Sequence, residues 1–433
     1  MAAAKGTGRK GSAGRRAGTR AIPPSRRVVI AGGGLAGLAL ALSLARGGAG
    51  GLDITVCDPA LARPAPGGDA SRASAIAAGA RRMLETLGVW SVVAERAEPI
   101  LDMVITDSRL ADPVRPSILS FAGEVAPGEP FAHMVENDDL VNALAAACRE
   151  AGVTLAAEGI ARFVAGPERV LVTTASGAVI EAGLLVAADG ARSRLRDMAD
   201  IGWVGRSYDQ VGIVATIGHE RPHEGRAIEH FLPSGPFAIL PLATRDDRHR
   251  SSIVWTERAD AADYLLQLPD EDLREEVERR FGLELGEIAL LSPARAFPLS
   301  IGIARRFVAG RFALVGDAAH VVHPIAGQGL NIGLRDVAVL AETIIDACRL
   351  GRDVADEEAL LAYERARRFD TVTMGLATDG LNRLFSNDLL PVRLMRDLGL
   401  GLVERMPAAK RFFIREAAGL TGAVPRLMRG EAL

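Results

Sequence analysis

Glycines at Gly32, Gly34 and Gly37 occupy the three fixed positions of a G-x-G-x-x-G run. In such a run the first glycine permits a tight turn, the second lets the backbone approach a pyrophosphate, and the third lets helix and strand pack closely. A helix opening there offers unpaired N–H groups and partial positive charge to the phosphates. Asp58 lies twenty-one residues past Gly37, where a carboxylate would accept hydrogen bonds from an adenosine ribose. Two further acids follow apolar runs, in Asp189-Gly190 and in Gly316-Asp317; taken singly, each is explained by helix capping. His320 and His323 are three apart, a spacing that could set two metal ligands on one helix face. No further His, Cys or Glu cluster sits nearby and Pro324 interrupts any helix there, so no metal is expected. No Ser/His/Asp triad is visible, and no side-chain nucleophile is expected.

These residues need elements to hold them. Residues 28–31 form a short apolar run suited to a buried parallel strand, and 38–45 read as a buried helix. Residues 53–57 give a second strand ending at Asp58. Strand, glycines, helix, strand and acid in that order make a dinucleotide site. Residues 184–188 form another buried strand, which turns at Asp-Gly into a basic helix start. The run 311–315 ends in an acid, after which a glycine-rich loop leads to an apolar helix near Leu330. Backbone N–H groups at Leu330 and Asn331 would face a site suited to negative charge. Residues 206–300 read differently, with strand-like runs at 211–217, 227–231, 237–241 and 251–255 between polar turns and helices at 259–268 and 270–281. Beyond Arg335 the chain is expected to be helical, over 336–349, 356–382, 390–403 and 408–418.

Composition bounds the rest. A length of 433 residues suggests two or three domains, and 48% hydrophobic with 24% charged residues excludes a wholly disordered or collagen-like chain. No uninterrupted apolar run reaches eighteen residues, so a spanning helix is not expected. The three cysteines are far apart, which excludes a disulfide scaffold and suggests a reducing compartment. Aromatics at 4% disfavour a base-stacking platform, and no nucleic-acid partner is expected. Residues 1–27 carry eight basic residues and no acidic ones, so a net charge of −3 leaves −11 on the remainder. That stretch has no apolar core of a secretory signal. It reads as a disordered extension in preference to a lipid-binding one, with organelle import left open. The expected location is cytoplasmic, with peripheral attachment at the inner membrane open and secretion excluded.

Over residues 27–420 the sequence resembles the flavin-dependent aromatic hydroxylases of the para-hydroxybenzoate hydroxylase fold, most closely their ubiquinone-biosynthesis branch. The narrower signature is Gly316-Asp317-Ala318-Ala319-His320 with residues 323–331. Residues 69–76, Val135-Glu136-Asn137 and 231–242 support it. The resemblance implies an α/β fold: a Rossmann-like FAD-binding domain, an inserted, mainly antiparallel substrate domain and a C-terminal helical region. The expected boundaries are a basic tail at 1–26, FAD-binding parts at 27–100, 133–205 and 301–349, substrate parts at 101–132 and 206–300, and helices over 350–433. It implies that Gly32, Gly34 and Gly37 line the FAD pyrophosphate and that Asp58 holds the ribose. Arg72 would reach the diphosphate or ribityl region, and Asn137 and Asp317, beside Gly316, the ribityl chain. Asp189 and Gly190 would support FAD and reduced nicotinamide. Pro324, Gly327, Gly329, Leu330 and Asn331 would border the isoalloxazine, with Pro324 and His320 as catalytic candidates. Phe231, Phe237 and Leu240 are candidates for the substrate pocket, although for each alone ordinary core is the favoured reading. The implied activity is hydroxylation of a polyprenylated phenol through a flavin hydroperoxide, with NADH, NADPH or another donor as reductant and dioxygen as co-substrate. A multiprotein quinone-making complex is an implied partner. Alternatives are a hydroxylase of soluble aromatics, a prenyl reductase and a non-catalytic flavin scaffold.

Overall fold

A computed structural model describes residues 23–48, 51–69, 72–107, 110, 115–122, 124–232, 234–323, 327–385 and 406–433. Five short strands form a parallel sheet in the order Thr154–Ala156, Asp53–Cys57, Arg27–Ala31, Leu184–Ala187, Phe312–Leu314. Parallel strands covered on both faces must be apolar throughout. Val28, Val29, Ile30, Leu184, Leu185, Val186 and Phe312 are accordingly sealed from solvent. The helices Leu35–Arg46 and Gly329–Arg349 pack together over this sheet. The expected helix at 38–45 thus begins three residues earlier, at the end of the glycine run.

Register decides where the loops emerge. Ala31 is level with Cys57 and Ala187, and Ala187 with Leu314. The next residues, Gly32, Asp58, Ala188 and Val315, therefore leave along one edge. In an open parallel sheet that carboxyl edge is where ligands bind.

A second sheet has nine strands and is antiparallel except where Arg226–Leu232 runs parallel to Asp102–Asp107. The four expected runs lengthen to Trp203–His219, Arg226–Leu232, Gly235–Arg245 and Arg248–Arg258. The polar stretch Arg206–Gln210 hid the start of the first of these, because a register shift between Ser207 and Val211 breaks its alternation. Arg295–Ala304 and His320–Val321 join the same sheet, so it reaches the loop that follows Asp317. One face is closed by the helices Ala259–Leu265 and Asp270–Phe281 over a core of Ile213, Phe237, Ile239, Ile253, Trp255, Leu273 and Val277. The first of those helices stops three residues short of the expected Leu268. Glu357–Phe385 and Pro407–Ala417 are helical, and the expected helix at 390–403 lies outside the described residues. Among the described residues no helix is long and apolar enough to cross a membrane.

Candidate functional site

The glycine run is built for close approach. A Cβ at Gly37 would sit 2.0 Å from the Gly32 carbonyl oxygen, and one at Gly32, where φ is +114°, would sit 2.2 Å from that of Ala188. Only glycine fits either place. Gly34 differs: nothing lies within 4 Å of its Cβ position. It precedes the helix Leu35–Arg46 with extended backbone and no capping side chain, so the helix N-terminus opens onto free space. Asp58 braces the run. Its Oδ2 accepts from Gly33 N at 2.7 Å and its Oδ1 from Ala60 N at 2.8 Å, and the spare lone pairs still face the edge.

The structure brings Arg72 and Asn137 together, sixty-five residues apart in sequence. Asn137 N donates to the Arg72 carbonyl at 2.7 Å, and Asn137 opens the helix Asn137–Glu150. Among the described residues its Oδ1 is buried with no hydrogen-bond donor. The Arg72 guanidinium lies 4.7 Å over the Phe297 ring. Asp317 is exposed at the crevice, yet the protein around its carboxyl desolvates it enough to raise the pKa against the opposing charges of His320 and Arg72. Capping explains neither acid. Ser193, not Asp189, caps the helix Arg194–Met198 through its contact with Arg196 N at 3.0 Å, and the turn Gly316–Ala318 has no side-chain cap. Asp189 is exposed beside Gly190 at the carboxyl edge.

Two groups that sequence reasoning missed hold these residues in place. Asp336, fully buried, accepts from Gly316 N at 3.0 Å, His320 Nε2 at 2.5 Å and Arg367 Nε at 2.7 Å. Burial pushes its pKa up, but His320 and Arg367 more than offset this and the net shift is downward. Its place in an apolar helix, seven residues past Gly329, was the available signal. The second group is Arg250 with Arg245. Arg250 Nη1 reaches Asp69 at 2.6 Å and Glu136 at 3.2 Å, and Arg245 Nη2 reaches Glu136 at 2.5 Å. Glu136 immediately precedes Asn137, so the large sheet grips the segment that presents that side chain.

Two expectations, for His320 and Phe237, need correction. His320 is not a catalytic group of the crevice: it is 1% exposed, packed against Phe307 and committed through Nε2 to Asp336. Its role is to hold the Gly316–Asp317 turn. The Asn331 side chain is a strut, with Oδ1 accepting from Ala77 N at 2.9 Å and Nδ2 donating to the Ala75 carbonyl at 2.8 Å. Only its backbone, with Leu330 and Gly329 in the first turn of Gly329–Arg349, is turned to the helix terminus. Phe237 does not line a pocket over the crevice. Alternation puts it with Trp255 and Ile239 in the closed core on the far face. Leu240 has the opposite parity and clusters with Ala73 and Ala75. Ala75 in turn lies against Gly327 and Asn331, so the Leu240 face is the one that meets the glycine-rich loop. Phe231 shares that face through its pairing with Pro236. Pro324 lies outside the described residues. His323 is buried against Tyr208, and burial lowers its pKa to about 4.

An open helix N-terminus, a carboxylate level with it, a buried amide oxygen lacking a donor and two carboxylates spared from capping thus share one edge. This set fits a flavin dinucleotide. Residues 25–373 match the family model described as FAD binding domain. The chain is 46% identical over 411 residues to ubiquinone hydroxylase UbiL of Rhodospirillum rubrum, covering 94% of this chain and 93% of that one. It is 34% identical over 398 residues to 3-demethoxyubiquinol 3-hydroxylase of Escherichia coli, covering 91% and 98%. Among solved structures, p-nitrophenol 4-monooxygenase PnpA of Pseudomonas putida superposes with a TM-score of 0.71 at 18% identity, covering 92% and 98%. The last likeness establishes the shared fold. The chain is an FAD-binding flavoprotein of the aromatic hydroxylase class. Within that class it belongs to the ubiquinone-biosynthesis hydroxylase family.

Proposed function

We propose that the protein is an NAD(P)H-dependent monooxygenase that hydroxylates the aromatic ring of a polyprenylated phenol in ubiquinone biosynthesis. Its kinship with named ubiquinone hydroxylases along nine-tenths of its length carries this reading. Bound FAD would supply the redox chemistry, taking two electrons from NADH or NADPH and activating dioxygen. Gly32, Gly34, Gly37 and the first turn of Leu35–Arg46 would hold the pyrophosphate, and Asp58 the ribose. Asn137 Oδ1 and Asp317 would accept from ribityl hydroxyls, Arg72 would neutralise the diphosphate, and Asp189-Gly190 would support both dinucleotides. The backbone of 327–331, with Pro324, would border the ring. Phe231 and Leu240 would wall the substrate side and exclude water.

The test is product analysis under labelled dioxygen with the FAD-loaded protein, NADH or NADPH and a prenylated phenol. One labelled oxygen atom in the ring is expected; a reduced prenyl chain, or flavin binding without substrate-stimulated turnover, overturns the reading. Each buried methylene contributes about 0.8 kcal/mol, so the same phenol without its prenyl chain should bind at least about 100-fold more weakly. Because such a tail partitions into lipid, we place the protein at the membrane surface. Flotation with anionic vesicles should carry it into the lipid fraction, and its complete absence there would remove that placement.

A further inference from the structure

Glu229 is an acid in an apolar place. It lies in the strand Arg226–Leu232, level with Ala238 on one side and Ile105 on the other. Its parity is that of Ala227, Phe231 and, across the pairing, Leu240. This is the face whose Ala227–Leu240 row joins the apolar cluster against which Ala73 and Ala75 also pack, next to the glycine-rich loop. Glu229 stands one row farther on, about 7 Å along the strand. At Phe237 and Trp255 the opposite face is a closed core, and at Ile228 and His230 it lines a separate cavity beside the helix Asp270–Phe281. On the Glu229 face Leu240 and Val254 remain half-buried, so this side borders the crevice. Glu229 itself is 7% exposed, and no hydrogen bond or ion pair reaches its carboxyl among the described residues. Burial alone pushes its carboxyl up to about 7.

An unpartnered buried carboxyl is costly. The cost is recovered when a ligand brings a donor, and a site of this kind rejects analogues that lack the donor. We propose that Glu229 is the substrate-recognition residue that accepts a hydrogen bond from the ring hydroxyl of the bound phenol and so sets the ring's orientation on the sheet wall. A carboxyl offers an acceptor oxygen whether or not it is protonated, so recognition holds in both states. The inference rests on the prenylphenol reading above and adds the residue that would read the hydroxyl.

The test uses the FAD-loaded protein with 2-geranylphenol and its methyl ether, binding being followed by perturbation of the flavin absorbance. Wild type should prefer the phenol by about 100-fold. E229Q keeps an acceptor oxygen and should retain most of that preference, whereas E229L should lower it to about threefold or less by weakening phenol binding alone. E229L removes an uncompensated buried acid, so its unfolding midpoint should equal or exceed that of wild type. Wild type that binds both compounds equally, or E229L losing both equally, overturns the inference and leaves the prenylphenol reading standing. Wild type that binds neither compound overturns both.

Discussion

At the scale of single residues, Gly34 and Gly37 separate folding from cofactor binding. A methyl group at position 37 meets backbone at 2.0 Å, while one at position 34 meets nothing in the protein. Gly37→Ala should therefore lower both stability and flavin content. Gly34→Ala should unfold like wild type, because its new methyl enters only the space above the helix terminus. If the pyrophosphate lies there, Gly34→Ala weakens FAD binding at least about 100-fold, or about 2.7 kcal/mol. Titration of the apoprotein with FAD, beside an unfolding curve, checks both. A Gly34→Ala protein that binds FAD normally would move the pyrophosphate elsewhere. The spacing of these glycines was legible because a strand-to-helix turn is a local object. The partnership of Asn137 with Arg72 was not, since it depends on two strands pairing across sixty residues of chain.

At the scale of elements, the helices Gly329–Arg349 and Glu357–Phe385 are locked by the pair Asp336–Arg367, with 0% and 1% of each side chain exposed. The same carboxylate fixes the Gly316–Asp317 turn through Gly316 N and His320. Breaking a buried pair by removing one charge typically costs about 3–5 kcal/mol, whereas replacing both partners costs far less. Asp336→Asn should therefore lose about that much stability in denaturant unfolding and release flavin more readily. Adding Arg367→Met should restore part of the stability. Additive losses in the double variant would show that the two residues act independently. The apolar pattern revealed both helices, over 336–349 and 356–382. It did not reveal that one acid inside an apolar stripe joins them, because the partner lies thirty-one residues away on another helix.

At the scale of the whole molecule, three histidines are spread over the protein: His133 in the strand Ala132–Glu136, His230 in the large sheet and His323 at the start of the glycine-rich loop. Burial lowers each to about 4, and the charges of Arg81 at His133 and of Arg115 at His230 add to it. The unfolded chain takes up these protons near pH 6.5, where the folded protein does not. Their contribution to stability is thus complete above about pH 6.5 and falls away as the pH drops towards 4. Asp336 acts the same way lower down: its pKa is depressed, so its contribution persists above the ordinary aspartate value and is lost only in stronger acid. Denaturant midpoints at pH 7.5, 6.0 and 5.0 should decline steadily, by about a few kcal/mol in all. A flat profile would mean that these rings are solvated in the folded protein.

The amino-acid sequence by itself determined the nucleotide half of this protein. Apolar runs too short for anything but buried parallel strands, glycines at fixed intervals and acids at strand ends are local signals. Parallel pairing then carries all of them to one edge. The tertiary structure alone decided the substrate half. Alternation announces that neighbours in a strand point opposite ways, but not which parity turns towards the glycine-rich loop. Phe237 and Leu240 were therefore indistinguishable until the helices Ala259–Leu265 and Asp270–Phe281 closed one face. For the same reason Glu229 drew no notice in the sequence: an acid in a strand is unremarkable until its neighbours, and the absence of any partner among the described residues, are known.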